Sequence, residues 1–140
     1  MKIQIATAEG EVYRAKACSI VATTAEGELK IFSGHAPLLA ILRPGVVRID
    51  CRPGCNCPEV KHDEMVVLGG FIEVQPDSVT ILADSVERSD QIDENRAKQA
   101  VRQAREQLRA SPSENATNAL MALEVAIARL RVARGRFGRH

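Results

Sequence analysis

The chain has 140 residues, 45% hydrophobic and 26% charged, with a net charge of +1, which bounds it to one or two small domains with an aliphatic core. Aromatic residues make up 3% and Trp is absent, which argues against a stacking platform for sugars or single-stranded nucleic acid. The longest apolar stretch, Val66 to Ile72, is far too short to span a membrane, and Met1-Lys2-Ile3-Gln4 lacks the apolar run of a secretory signal, so a cytosolic-side protein is expected.

Taken along the chain, the stretch from Lys2 to Thr7 sets Ile3 and Ile5 on one face, the period of a half-buried strand. Ala8-Glu9-Gly10-Glu11 reads as a turn. The stretch from Val12 to Thr23 reads as one long strand, apolar on both parities and so lying between two layers. Glu26-Gly27-Glu28 turns the chain into a short strand ending at Phe32, and Gly34-His35-Ala36-Pro37 is a loop. Leu38 to Leu42 forms the next strand, closed by the turn signal Arg43-Pro44-Gly45. Further strands are predicted from Val46 to Asp50, Met65 to Leu68, Phe71 to Val74 and Val79 to Ala83. Gln75-Pro76-Asp77-Ser78 fits a hairpin turn. Gly69-Gly70 marks a bulge or a close backbone approach. It is no phosphate loop, because neither GxxxxGK[ST] nor GxGxxG surrounds it. So many short strands imply an antiparallel β-sandwich or flattened barrel over residues 1–84.

The texture changes near residue 84. The 56 residues that follow hold one proline, Pro112, and are rich in Ala, Arg, Glu and Leu. Ser89 or Asp90 can cap a first helix. Ala97, Ala100, Val101, Ala104 and Leu108 recur at three and four residues, which places them on one face. Ser111-Pro112-Ser113 ends that helix, and Ser113 or Asn115 can cap the next. Ala116, Ala119, Leu120, Leu123, Ile127 and Leu130 supply a second stripe. The two stripes predict an antiparallel helical hairpin over residues 85–140, making the fold class α+β. Alanine seams bury little area, so the hairpin is expected to dock weakly on its support and to serve as a switch.

Charge is divided unevenly. Residues 1–83 carry 8 basic and 10 acidic side chains, and residues 84–140 carry 11 and 8. The last acid is Glu124, beyond which lie Arg129, Arg131, Arg134, Arg136 and Arg139, a tail suited to an acidic partner. Cys51, Cys55, Cys57 and His62 offer four soft donors within twelve residues, enough for one tetrahedral metal, although the usual C-x2-C spacing is missing. Cys18 reads as a core residue. An alternative function follows from this loop: a free-standing metal- or redox-binding β-protein. No paired acid and base or activated nucleophile suggests an enzyme.

Three ordered segments resemble signatures of the epsilon subunit of rotary ATP synthases of the bacterial type. The first is Ala25-Glu26-Gly27-Glu28-Leu29 with Gly34-His35-Ala36-Pro37-Leu38-Leu39 and Arg43-Pro44-Gly45. The second runs from Gly69-Gly70-Phe71-Ile72-Glu73-Val74 through Val79-Thr80-Ile81-Leu82-Ala83-Asp84. The third, Ile92-Asp93-Glu94-Asn95-Arg96-Ala97, fits an I/L-D-x-x-R-A pattern.

The resemblance implies a non-catalytic central-stalk subunit on the cytoplasmic face of the plasma membrane, touching the membrane only through its complex. Its implied partners are the gamma subunit, the c-ring and, through the C-terminal helix, the catalytic beta subunits; nucleic acid is not among them. Glu26, Glu28 and His35 are implied in contact with the c-ring and gamma. Arg129, Arg131 and Arg134 are implied to meet an acidic lever of the catalytic head when the hairpin extends, which hinders ATP hydrolysis. No cofactor is required. Some members bind regulatory ATP on the folded hairpin, and the matching positions here are Glu87, Asp93, Arg96 and Arg129. Gln103 and Val125 stand where two further arginines would complete that set.

Overall fold

The computed structural model describes residues 1–51, 61–110 and 116–138. Ten strands come first: β1 (Lys2–Thr7), β2 (Gly10–Lys16), β3 (Ser19–Thr24), β4 (Gly27–Phe32), β5 (Leu38–Leu42), β6 (Gly45–Cys51), β7 (Lys61–Val67), β8 (Gly70–Gln75), β9 (Ser78–Ala83) and β10 (Val86–Arg88). A 3₁₀ turn, Ser89–Gln91, leads into two helices, α1 (Glu94–Ala110) and α2 (Ala116–Gly138). The expected sandwich followed by a two-helix hairpin is therefore the observed architecture.

The strands are hydrogen-bonded in the order β10-β7-β6-β3-β5-β8-β9-β1-β2, with β4 on the other side of β3. Strand β3 pairs with β6 through Ser19, Ile20 and Val21, but meets β5 only at Thr24. The sheet turns its corner there and folds into two leaves. Strands β1 and β9 run parallel; the other pairings among the described residues are antiparallel. Between the leaves lies the aliphatic core foreseen from composition, with Ile3, Ile5, Ile20, Ile31, Met65, Ile72 and Ile81 fully buried.

The two ends of the sheet are tied by side chains. Tyr13 on β2 donates a hydrogen bond to Asp63 Oδ2 on β7 at 2.5 Å, and Arg88 on β10 lies 5.5 Å from the Tyr13 ring centre, a cation–π contact. Burial, then the bond to Asp63, push the Tyr13 hydroxyl well above its ordinary pKa.

Three local expectations change. The single strand expected from Val12 to Thr23 is two strands, interrupted where Ala17 N donates to Met1 O and Cys18 N to Asp50 O, at 2.9 and 2.8 Å. The helix cap is Asp93 rather than Ser89 or Asp90: its Oδ1 accepts from the backbone N–H groups of Asn95 and Arg96 at 2.9 and 3.3 Å, the geometry of an N-cap carboxylate. The apolar stripe of α2 also shifts. Ala119 is buried as expected, but Leu120 and Ile127 are 50% and 45% exposed, while Ala126, Ala128, Val132 and Ala133, outside the expected stripe, are buried. The caps proposed at Ser113 and Asn115 lie outside the described residues.

Asp50 is the buried carboxylate of β6. Arg48 Nε donates to its Oδ1 at 3.0 Å, and His62 Nδ1 contacts the same oxygen. Burial pushes this carboxyl up, but the bonds from His62 and Arg48 outweigh burial and hold it below the ordinary value. A carboxyl depressed by folding stabilises above its unfolded pKa, near 4, and that contribution is lost as pH falls through the folded value. Urea midpoints measured from about pH 5 downward should therefore fall more steeply for the native chain than for Asp50→Asn.

Candidate functional site

Two surfaces stand out. The first is the outer face of β5, β8 and β9. Alternation puts Ala40, Ile72, Val74 and Ile81 toward the core and Leu39, Ile41, Phe71 and Leu82 toward solvent. Register then sets Ile41 opposite Phe71, Phe71 opposite Leu82, and Leu82 opposite Ala6. The result is an apolar row across four strands in which Ile41, Phe71 and Leu82 are each more than half exposed. Leu39, 69% exposed, extends it. Rows of this kind on a protein surface mark contact sites.

The acidic turn borders this face. Thr24 Oγ1 accepts from Glu26 N at 3.2 Å and donates to Gly27 O at 2.7 Å, so the β3–β4 turn holds Glu26 and Glu28 out to solvent. Both residues line a groove of about 470 Å³ with Leu38, Leu39 and Ile41. His35 is not beside them. It follows β4, whereas the acids stand at its start, so most of the six-residue strand, roughly 17 Å long, lies between them. Its Nδ1 lies 2.7 Å from Ala36 O and its backbone N–H donates to Phe32 O at 3.3 Å. Acids and histidine thus stand at opposite ends of β4.

The second surface is the seat of the hairpin. Strand β7 turns Met65 and Val67 into the sandwich core and Val66 outward. Val66 packs with Ile92, Ala128, Val132 and Ala133, with Val46 and Leu68 at the margin. Helix α2 lies on β6 and β7 while also packing on α1.

Ion pairs surround this seat. Arg129 donates from Nε and Nη2 to the two oxygens of Glu87, both at 2.7 Å, a bidentate pair. The Glu87 carboxylate raises the pKa of Arg129 above its ordinary value. Arg134 lies 3.5 Å from Glu94, Arg131 lies 3.9 Å from Glu64, and Arg43 reaches Glu124 at 2.9 Å. In the docked hairpin, the three arginines assigned by resemblance to the catalytic head are therefore engaged internally.

Of the residues matched to a nucleotide site, Glu87, Arg129 and Asp93 are engaged within the docked chain. Glu87 and Arg129 neutralise one another, Asp93 is spent on the α1 cap, and Arg96 is exposed. Phosphate recognition needs several donors converging on one point; here a nucleotide would have to displace the Glu87–Arg129 pair.

Of the cysteine loop, Cys55 and Cys57 lie outside the described residues. Cys51 is disulfide-bonded, and His62 is engaged with Asp50. Among the described residues, no group of three or more His, Cys, Asp or Glu is placed to hold a metal. No described helix is long and apolar enough to cross a membrane.

Sequence reasoning missed the apolar row. Its members belong to four separate strands, each reading as ordinary alternation, and only cross-strand register brings them together. Glu64 was also missed as a partner for α2, because its contact depends on where the hairpin docks.

Two family models match the chain: the β-sandwich domain of the ATP synthase Delta/Epsilon chain over residues 1–89, and the long α-helix domain of the same chain over residues 90–134. Among solved structures, the chain is similar to one from the Euglena gracilis mitochondrial ATP synthase, OSCP/F1/c-ring in rotational state 1. The TM-score is 0.74 at 22% identity, covering 90% of this chain and 76% of that one. It is also similar to a chain of the Tetrahymena thermophila mitochondrial ATP synthase central stalk and c-ring, with TM-score 0.51, 17% identity and coverage of 97% and 95%. At these identities the structural likeness is one of fold.

Proposed function

Since the chain belongs to the ATP synthase Delta/Epsilon chain family, as a non-catalytic member, we propose that it is an epsilon-type central-stalk subunit. Its sandwich joins the gamma shaft to the ring of c subunits, and its hairpin restrains ATP hydrolysis after leaving the sandwich. Its tie to the membrane is peripheral, through the ring.

The observation that carries this reading is the exposed row Ile41–Phe71–Leu82. A shaft subunit burying that row gains hydrophobic contact at its centre, with the acidic turn at the rim. Rim charges such as Glu26 and Glu28 steer docking and fix orientation more than they add affinity. The similar solved chains come from assemblies that include a c-ring, which supports the ring contact.

The test is binding of the purified chain to gamma from the same source. Phe71→Ser should weaken binding roughly tenfold, while Glu26→Gln with Glu28→Gln should slow assembly with the c-ring and make it less sensitive to salt. Unchanged gamma binding by Phe71→Ser would remove this face from the proposal.

The regulatory half has its own test. Ending the chain after Ser89 keeps β10 and removes both helices. The assembled complex should then still form and should hydrolyse ATP several times faster. An unchanged rate would separate the hairpin from regulation.

A further inference from the structure

The docked hairpin employs Arg129, Arg131 and Arg134 of α2 internally. Helix α1 does the opposite. Lys98, Arg102, Arg105 and Arg109 follow one another at spacings of four, three and four residues, which stacks them on one narrow face over roughly 16 Å of helix. Lys98 reaches Glu94 at 3.5 Å. Arg102, Arg105 and Arg109 are exposed, and none of them has an ion-pair partner among the described residues. All four line a groove of about 360 Å³ along the helix seam together with Val101, Leu130 and one acid, Glu106; Val101 is buried and Leu130 half-buried.

We propose that this face of α1 is a docking surface for an acidic protein segment, available while the hairpin is seated on the sandwich. The cations form a line rather than converging, so they suit carboxylates repeated along a chain better than one phosphate group. The partner that fits is a helix with carboxylates at three- and four-residue spacing and an apolar side chain to meet Val101 and Leu130. No aromatic residue lines the groove, which removes the stacking that single-stranded nucleic acid uses. With Val101 buried and Leu130 half-buried, the groove offers no exposed apolar ridge to insert into a lipid surface. Exposed cations of this kind give fast, salt-sensitive and orientation-specific association. The inference concerns the docked chain alone and does not depend on what the sandwich binds.

The experiment uses the full chain and a labelled synthetic helical peptide carrying Glu at three- and four-residue spacing with Leu between, read by fluorescence anisotropy at low salt. Arg102→Gln/Arg105→Gln/Arg109→Gln should weaken binding at least roughly tenfold. The equal charge change Lys2→Gln/Arg14→Gln/Lys16→Gln on the sandwich should leave it unaltered. Both variants alter side chains away from the buried core, and circular dichroism checks that each is folded. Equal loss in the two variants would mean attraction to net charge, and no binding by the native chain would remove the site. Competition by inorganic tripolyphosphate as strong as by the peptide, or equal capture by vesicles containing phosphatidylserine, would overturn the assignment to a protein segment.

Discussion

Gly70→Ala should cost the sandwich about 4 kcal/mol or more, a large part of the 5–15 kcal/mol typical of a domain. Gly70 opens β8 at a φ of +121°, and a Cβ there would sit 2.1 Å from Leu82 O and 2.8 Å from Ala83 Cα. Both atoms are backbone of the paired strand β9, so neither can swing aside. The strain and the clash add, and they fall beside Phe71 and Leu82, so the apolar row should be lost with the register. Gly10→Ala is the informative control. Its φ is +130°, but nothing lies within 4 Å of the added carbon, so it should show the conformational cost alone, about 1–2 kcal/mol. Urea unfolding of the two variants measures the difference. Similar losses would show that β8 and β9 can part without penalty.

Arg129→Glu should release the hairpin. The native pair is bidentate and partly shielded, and reversing one partner replaces two charge-assisted bonds with repulsion, about 2–3 kcal/mol. That is on the order of a hundredfold rise in the undocked population. Limited proteolysis within α2 reads this directly, because α2 is protected only while seated on Val66 and α1. Restoring opposite charges with Glu87→Arg in the same chain should re-seat the helix. Adding ATP to the native chain should change the cleavage rate little, because Arg129 is already satisfied by Glu87. Strong protection by ATP would instead mean that the nucleotide opens the pair and takes its place.

Much of the fold is legible in the residues. Gly and Pro punctuate most of the strands, and alternation sets their inner faces, as at Ile3 and Ile5. The break between β2 and β3 carries no such mark, because Ala17 and Cys18 are turned by bonds to Met1 and Asp50 that exist only after folding. Strand β10 is three residues long, too short to show a period. In α2 a one-face template selects large residues, such as Leu120 and Ile127. The helix instead packs on two sides at once, and close approach favours Ala126, Ala128 and Ala133. The acidic turn and His35 can be picked out from local sequence, but their separation at opposite ends of β4 requires the structure, as does the engagement of Arg129.

The side-chain seam between β2 and β10 has a mechanical meaning. Across the rest of the sheet, each strand is stitched to the next by backbone hydrogen bonds; at the seam the closure rests on Tyr13, Asp63 and Arg88. Any load passed through the sandwich meets a body that is stiffer along the stitched path than across this line. Breathing should begin there, with the edge amides of β2 and β10 exchanging with solvent ahead of those of β3 and β8, and the core isoleucines behind Tyr13 staying dry until the seam has opened.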